Sequence, residues 1–184
     1  MNFNEHYNLA GKHAFLSPSQ YHWVNYTLDK LEERYYNSKA AERGTALHEY
    51  AAMAIRLNRK QPKNHDTINM FVNDAIGYSM VPEQPLYYSD NCFGTADAIS
   101  FNKDLLRIHD LKTGVTAASM TQLELYAALF CLEYGKSPEA MDINLRIYQN
   151  NAKEEFVPDP KEIMSLMDQI IEFDAMIEKF RENL

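Results

Sequence analysis

The stretch Gly94-Thr-Ala-Asp97-Ala-Ile-Ser-Phe101 and, shortly after it, Ile108-His-Asp110-Leu-Lys112-Thr-Gly114 decide the fold class. Their alternating apolar and polar residues predict two strands, over about residues 92–101 and 105–112. Asn102-Lys103-Asp104 supplies the turn residues between them, so the two strands form a hairpin. The centre of the chain is therefore predicted to be a β-sheet with an acid on each of two neighbouring strands.

The remaining elements place helices around this hairpin. Ser17-Pro18-Ser19 is typical of a helix start, and further helices are predicted over about residues 40–58, 66–79, 121–134 and from 160 almost to 184. An extended, edge-like segment follows Pro82 and Pro85, and residues 141–149 alternate as a strand. We expect one mixed α/β domain over residues 1–184, with a core at about 39–150 and an acidic helical extension at about 160–184.

The two strands bring together groups that suit metal-assisted hydrolysis of a phosphodiester. Side chains alternate across a strand, so Asp110 and Lys112 lie on one face. Mg²⁺ and Mn²⁺ prefer oxygen ligands, which Asp97, Asp110 and the Leu111 carbonyl would provide. Lys112 would position the attacking water and offset negative charge in the transition state. A surface pattern of charges would explain an isolated Asp-x-Lys, but apolar neighbours surround both acids here.

Three further residues are candidates for the same site. His48 lies in a helical segment, one turn after Gly44 on the same face, and is a candidate metal ligand. A half-buried histidine bonded to a carbonyl is an equally good explanation. Gln122 and Tyr126 form an i, i+4 pair on a later helix, where they could orient the lysine, the water or a phosphate. Core packing is the alternative for Tyr126.

The net charge of −8 does not exclude a nucleic-acid substrate, because the acidity is concentrated near the end of the sequence. Residues 154–184 hold nine acids and three bases, so the rest of the chain has a net charge of only −2. A run of bases at 39–63 predicts a phosphate-binding surface, with a solvated helix face as an equally probable explanation; its candidate residues are Arg43, Arg56, Arg59 and Lys60. Residues 1–5 lack a secretory signal pattern and no apolar run reaches membrane length, so a cytoplasmic location is expected.

Four short motifs in one order resemble the PD-(D/E)XK nuclease superfamily, and most of all its RecB-like exonuclease branch of bacteria and phages. The branch shows Gly-x-x-x-His on a helix, Gly-x-x-Asp on a strand, acid-x-Lys on a strand and Gln-x-x-x-Tyr on a helix. They stand here as Gly44-Thr-Ala-Leu-His48, Gly94-Thr-Ala-Asp97, Asp110-Leu-Lys112 and Gln122-Leu-Glu-Leu-Tyr126. Each motif is weak alone, but four in order are specific, and the match spans residues 17–149.

The resemblance implies a restriction-endonuclease-like core, αβββαβ, with an extra N-terminal helix and a C-terminal helix. It implies a Mg²⁺- or Mn²⁺-dependent deoxyribonuclease, an exonuclease by type, with His48, Asp97 and Asp110 as ligands and Lys112 as the catalytic lysine. Some relatives hold an iron–sulfur cluster on four cysteines; with only Cys92 and Cys131 present, none is expected here. DNA is the expected partner, with a recombination, helicase or phage protein as a further one and no membrane.

Two alternatives remain at this point. The chain could be a catalytically silent nuclease fold that binds DNA or acts as a protein adaptor, although such a module has no need of buried, mutually repelling carboxylates. The apolar stripe of the last helix could also drive dimerisation, although packing on its own domain is the more common role of such a stripe. Glu83 is a possible additional acid at the metal, but its place near two prolines favours a solvated sheet edge.

Overall fold

The computed structural model describes residues 14–114, 116 and 118–182. The chain divides into two compact units, Met1–Arg43 and Gly44–Leu184. In the first unit, 3₁₀ turns over Pro18–Asn25 precede the start of helix α1, which runs over Leu28–Arg56 and continues into the second unit. Among the described residues, no helix combines the length and apolar character that a membrane span requires.

Helix α1 corrects the predicted pair of helices near the N-terminus. The sequence analysis predicted one helix from Ser17 and a separate one at about 40–58, whereas Leu28–Arg56 is a single helix. The residues between the two predicted helices include no proline or glycine, so nothing ends the helix there. The helix start is marked instead by Thr27, whose Oγ1 accepts a hydrogen bond from the Lys30 amide at 3.2 Å.

The second unit is a five-stranded mixed sheet covered by helices on both faces. Its elements in order are the second part of α1, from residue 44, α2 (Thr67–Gly77), β1 (Val81–Ser89), β2 (Cys92–Asn102), β3 (Leu105–Leu111), α3 (Thr121–Tyr134), β4 (Asp142–Gln149), β5 (Ala152–Phe156) and α4 (Pro160–Glu182). The strands lie in the order β1-β2-β3-β4-β5, and only the β3–β4 pair is parallel. The predicted mixed α/β class is therefore confirmed.

Strand β5 was not predicted, although the sequence contains the turn that leads into it. Asn150 and Asn151 both have positive φ, 51° and 58°, and they join Gln149 to its partner Ala152. Two left-handed residues between paired strands make the turn that suits the right-handed twist of a hairpin. The predicted turn before β3 is of the same kind, since Lys103 and Asp104 have φ of 49° and 58°. An Asn-Asn pair after an alternating strand thus carried the information for a further hairpin.

Two apolar clusters fix the helices to the sheet. One is formed by α3, α4 and the residues of β2, β3 and β4 beneath them, with Leu106, Ile108 and Leu145 fully buried. The other lies under α2 and the end of α1, where Phe71 and Val72 pack on Ala98 and Leu111. Alternate residues of β3 therefore serve opposite faces, which is why Asp110 and His109 face different surroundings.

Candidate metal centre

Three acids lie next to one another on neighbouring strands. In the β1–β2 ladder the pairs Pro82–Ala98 and Gln84–Ala96 flank Glu83 and Asp97. The β2–β3 ladder begins at the pair Ala98–His109, which makes Asp97 and Asp110 the next positions along these two strands. Register alone therefore brings three carboxylates from three strands to one place.

Glu83 is at the irregular point of this row. Its φ is 50°, in the left-handed region that a residue other than glycine seldom adopts. Strained backbone of this kind is enriched at binding and catalytic sites, because the surroundings must hold it in place. Glu83 lies on the edge strand β1, as the sequence favoured, but its side chain is partly buried and lies in the same group as His48 and Asp97.

His48 brings an imidazole to the acids from helix α1. Its Nδ1 lies 3.4 Å from Asp97 Oδ1. One ligand atom from each of His48, Glu83 and Asp97 lies within 4.8 Å of the other two, a spacing that one cation could bridge. An imidazole with two carboxylates is a donor set that Mn²⁺ and related divalent cations accept.

Two glycines allow the helices to approach this part of the sheet. A Cβ at Gly44 would lie 2.8 Å from Thr113 Oγ1, directly after the lysine strand. A Cβ at Gly94 would lie 2.9 Å from the Tyr126 ring on α3. Both contacts are too short for a real Cβ, so an added methyl group would have to displace the Thr113 hydroxyl at Gly44 and the Tyr126 ring at Gly94.

Lys112 is held between the acids and helix α3. Its Nζ donates a hydrogen bond to Asp110 Oδ1 at 3.1 Å and another to Gln122 Oε1 at 2.7 Å. Gln122 Nε2 in turn lies 3.5 Å from the hydroxyl of Tyr126. The i, i+4 pair on α3 thus contacts the lysine directly through its amide, while the phenol stands behind that amide.

The backbone near the lysine is also fixed. Asp97 Oδ2 accepts a hydrogen bond from the Leu111 amide at 2.8 Å, and the Lys112 amide donates to the Tyr148 carbonyl at 2.9 Å. Asp97 therefore contacts Leu111 through its N–H, and a ligand role for the Leu111 carbonyl stays a prediction. Asp110 Oδ2 is buried and accepts no hydrogen bond from the described residues, although Lys112 Nζ lies 3.0 Å away.

The electrostatics of the site show an excess of negative charge. Burial raises the pKa of Asp110, whose side chain is 5% exposed, and the charge of Asp97 raises it further. Burial and the charge of Asp97 likewise raise the pKa of Glu83. The hydrogen bond to Asp97 raises the pKa of His48 against the opposing effect of burial. Three carboxylates lie beside one ammonium and one imidazole, an excess of negative charge that a divalent cation would offset.

The predicted phosphate-binding bases are distributed over both units. Arg43 belongs to the first unit, so it is not placed relative to the acids. Arg56 is near enough to Glu83 for its charge to oppose the rise of that carboxyl's pKa. Arg59 and Lys60 follow α1 and are exposed. Nucleic-acid binding by these four residues stays a prediction.

A second polar cluster, which the sequence did not reveal, lies on the other side of β3. Asp74 Oδ2 accepts hydrogen bonds from the Tyr148 hydroxyl at 2.7 Å and from Lys153 Nζ at 3.1 Å, and Arg146 Nη1 lies 3.4 Å away. Arg146 Nη2 pairs with Glu155 at 3.0 Å. We call this group, with His109, the Asp74 network.

His109 is the most buried member of the Asp74 network, with no exposed surface. Burial and the charge of Arg146 lower the pKa of His109 to about 3, so the ring is neutral. Its Nδ1 lies 3.3 Å from the Tyr148 hydroxyl, which already gives its proton to Asp74. Nδ1 must then carry the ring proton, which leaves Nε2 as a buried acceptor with no described partner.

Comparison with known proteins places the chain in a family. The model of a family described as a protein of unknown function, DUF2800, matches residues 79–175, more than half of the sequence. The chain belongs to the DUF2800 family. The matched part of this DUF2800 member runs from the residues before β1 into α4 and contains Glu83, Asp97, Asp110 and Lys112, whereas His48 precedes it. No curated protein and no solved structure matches the chain.

Proposed function

We propose that this DUF2800 member is a divalent-metal-dependent nuclease that hydrolyses DNA phosphodiester bonds in the manner of the RecB-like PD-(D/E)XK enzymes. One observation carries the proposal. Asp97 lies between a group that can hold a cation, His48 with Glu83, and a carboxylate–lysine pair, Asp110 with Lys112. Hydrolysis of a phosphodiester requires both parts within reach of one phosphate.

The topology supports the same proposal. Helix α1, strands β1–β3, helix α3 and strand β4 follow the order αβββαβ of the restriction-endonuclease-like core. Strand β4 is parallel to β3 after the α3 crossover, and the acids stand on β2 and β3. In this proposal α2, β5 and α4 are additions to that core.

The residues present fit a divalent cation. His48, Glu83 and Asp97 can approach one ion together, and Asp110 offers Oδ2, a buried oxygen that accepts no hydrogen bond among the described residues. Burying unpaired carboxylates costs free energy, which a bound cation would offset. When bound, Mg²⁺ or Mn²⁺ supplies polarisation of the scissile phosphate and a water of lowered pKa.

The chain's own residues provide the rest of the chemistry. Asp110 and Gln122 fix Lys112 Nζ from two sides, so the ammonium is held ready at the edge of the acid row. From there it would donate a hydrogen bond to the attacking water or to a phosphate oxygen and offset the charge that develops during attack. Tyr126 would support Gln122 from behind.

Purified protein is expected to degrade DNA in the presence of Mg²⁺ or Mn²⁺ and to be inactive in EDTA. Lys112→Ala should reduce the rate at least about 100-fold, because the charge nearest the phosphate is lost. Lys161→Ala is the matched control, since this exposed lysine lies at the start of α4 and its amide bonds Asp159. Linear and covalently closed circular DNA should be compared, because an exonuclease degrades only the linear form.

Either of two results would overturn the proposal. The first is the absence of hydrolysis on single-stranded and duplex DNA with both metals, which would favour the silent DNA-binding or adaptor module. The second is full activity in Lys112→Ala, which would remove the lysine from the reaction. Circular dichroism of Lys112→Ala must match that of the parent protein for a loss of activity in the variant to be assigned to the lysine.

A further inference from the structure

The first unit carries a cleft that the nuclease site does not use. It has a volume of about 750 Å³ and lies between the 3₁₀ turns of Pro18–Asn25 and the first half of α1. All of its lining residues fall between positions 14 and 42, so it belongs to this unit alone. Four of them are aromatic: Phe15, Trp23, Tyr26 and Tyr35.

These rings are held in fixed orientations. Trp23 Nε1 donates a hydrogen bond to the Ser17 carbonyl at 2.9 Å. The Tyr35 ring meets Phe15 edge to face at a centroid distance of 5.6 Å, and Lys39 Nζ lies 5.7 Å from the centre of the Tyr35 ring. Tyr35 is nevertheless 46% exposed. Fixed and accessible ring faces are suited to stacking with another planar group.

The rest of the lining is polar and carries more positive than negative charge. Arg34 and Lys39 face the cleft, against one acid, Glu42. Lys39 pairs with Glu42 at 2.8 Å, whereas Arg34 forms no ion pair within the part of the chain that the structure describes. The lining also includes the His22 imidazole and the hydroxyl and amide groups of Ser19, Gln20, Asn37 and Ser38. Such a wall does not match a lipid or an apolar peptide.

Aromatic faces beside a cation and neutral hydrogen-bonding groups are what a single nucleic-acid strand requires. Its bases stack on rings regardless of sequence, and its phosphates bind arginine. A duplex keeps its base faces inside the helix, so it cannot use the rings. We propose that this cleft binds single-stranded nucleic acid by stacking bases on Tyr35 and Trp23, with Arg34 on the backbone.

The proposal rests on the proposed function in taking nucleic acid as the substrate, but binding is measured without hydrolysis. Trp23 is the only tryptophan of the chain, so its fluorescence reports on the cleft alone. Full-length protein in EDTA would be titrated with an oligothymidylate of about 15 nucleotides. We expect quenching of the fluorescence, because a stacked base quenches indole emission, and no quenching by a duplex of the same length.

Variants separate stacking from other contacts. Tyr35→Ala should weaken binding about tenfold, the loss expected for one stacked base. Tyr134→Ala is the matched control, because this tyrosine of α3 is 51% exposed and does not line the cleft. If Tyr35→Ala proves unstable, Arg34→Gln tests the same cleft through the phosphates and should weaken binding and reduce its salt dependence.

Several outcomes would overturn the cleft proposal. They are the absence of quenching by single-stranded DNA and RNA, equal quenching by duplex, or equal losses of affinity in Tyr35→Ala and Tyr134→Ala. The two proposals fail separately. Quenching by a single strand without any hydrolysis in Mn²⁺ would contradict the nuclease proposal and support the cleft proposal. Hydrolysis that Tyr35→Ala leaves unchanged, together with no quenching in EDTA, would support the nuclease proposal and contradict the cleft proposal.

Discussion

Two polar clusters lie on opposite sides of strand β3, and they differ in charge balance. In the Asp74 network two acids, Asp74 and Glu155, meet two bases, Arg146 and Lys153, so the charges cancel within the protein. At the candidate metal centre, three acids, Glu83, Asp97 and Asp110, lie beside one paired ammonium, that of Lys112; His48 and the more distant Arg56 only partly offset their charge. In the first cluster the charges balance without a ligand. The second has an excess of negative charge that a bound cation would offset.

This difference in charge balance indicates that the Asp74 network serves stability, whereas the acid row serves the proposed function. A balanced, hydrogen-bonded network stabilises the fold, and removing one partner leaves a charge without compensation. Carboxylates that repel one another oppose folding, so removing one of them relieves the native state. The two clusters should therefore respond to substitution in opposite ways, although both are built on the same strand.

The largest expected effect is that of Asp110→Asn at the metal centre. The proposed nuclease activity should fall at least about 100-fold, because a charged oxygen beside the proposed cation is replaced by a neutral one. The free energy of unfolding should be unchanged or increased, since burial and Asp97 raise the pKa of Asp110. Urea denaturation beside a rate measurement checks both parts. A large loss of stability would mean that Asp110 is structural, like Asp74.

The pH dependence of stability should carry opposite signs in the two clusters. The pKa of His109 is lowered to about 3 in the fold, so the unfolded chain binds a proton below pH 6.5 and the folded chain does not. Above pH 6.5 the ring is neutral in both states and does not lower the free energy of unfolding. As the pH falls from 6.5 toward 3, this residue lowers the free energy of unfolding by about 1.4 kcal/mol per pH unit. The raised pKa of Asp110 acts the other way, stabilising the fold as pH falls through that pKa.

Denaturation between pH 7 and pH 4.5 distinguishes these contributions. His109→Gln should flatten the fall in stability toward acid, whereas Asp110→Asn should steepen it. An unchanged slope in His109→Gln would show that the pKa of His109 in the native state equals that in the unfolded chain, and that burial in the Asp74 network does not lower it.

Asp74→Asn should destabilise the protein without affecting the metal centre. Asp74 accepts from Tyr148 and Lys153, and its side chain is 27% exposed, so we expect a loss of about 2 kcal/mol rather than the larger value of a fully buried pair. Folded Asp74→Asn should bind Mn²⁺ as the parent protein does. A loss of metal affinity without a loss of stability would contradict the separation of the clusters.

The smallest effect is expected at a glycine beside the site. Gly94→Ala places a methyl group 2.9 Å from the Tyr126 ring and should cost about 1 kcal/mol as the ring moves, with a several-fold loss of activity through Gln122. Gly77→Ala, at the end of α2 with open space around it, is the control and should be neutral or slightly stabilising. Equal effects of the two changes would show that close packing at Gly94 is not required.

Local patterns predicted much of the sheet and the first part of the site. Alternation and turn residues indicated β2, β3 and β4, and Gly135, with φ of 61°, ends α3 where expected. Spacing along one strand joined Asp110 to Lys112, and helical spacing joined Gln122 to Tyr126. These features depend on residues close in sequence, which is why the chain alone reveals them.

Features that depend on distant partners were missed. Glu83 reaches the acids through the β1–β2 register and a left-handed backbone, neither of which its proline-rich surroundings indicate. The Asp74 network joins α2 to β4 and β5, more than 70 residues away in sequence. No short helical or strand spacing could therefore predict it. His109 lay beside a predicted acid, but its opposite strand face gave it a different environment.

The most direct test of the central claim is a calorimetric titration of the protein with Mn²⁺. The parent protein and Asp74→Asn should bind with the same affinity, and Asp97→Asn should lose at least about 100-fold, because Asp97 contributes to both halves of the site. Asparagine keeps an oxygen for the Leu111 amide, so the fold should survive this change. No heat of binding in the parent protein, or undiminished binding in Asp97→Asn, would contradict the claim that the acid row holds a metal.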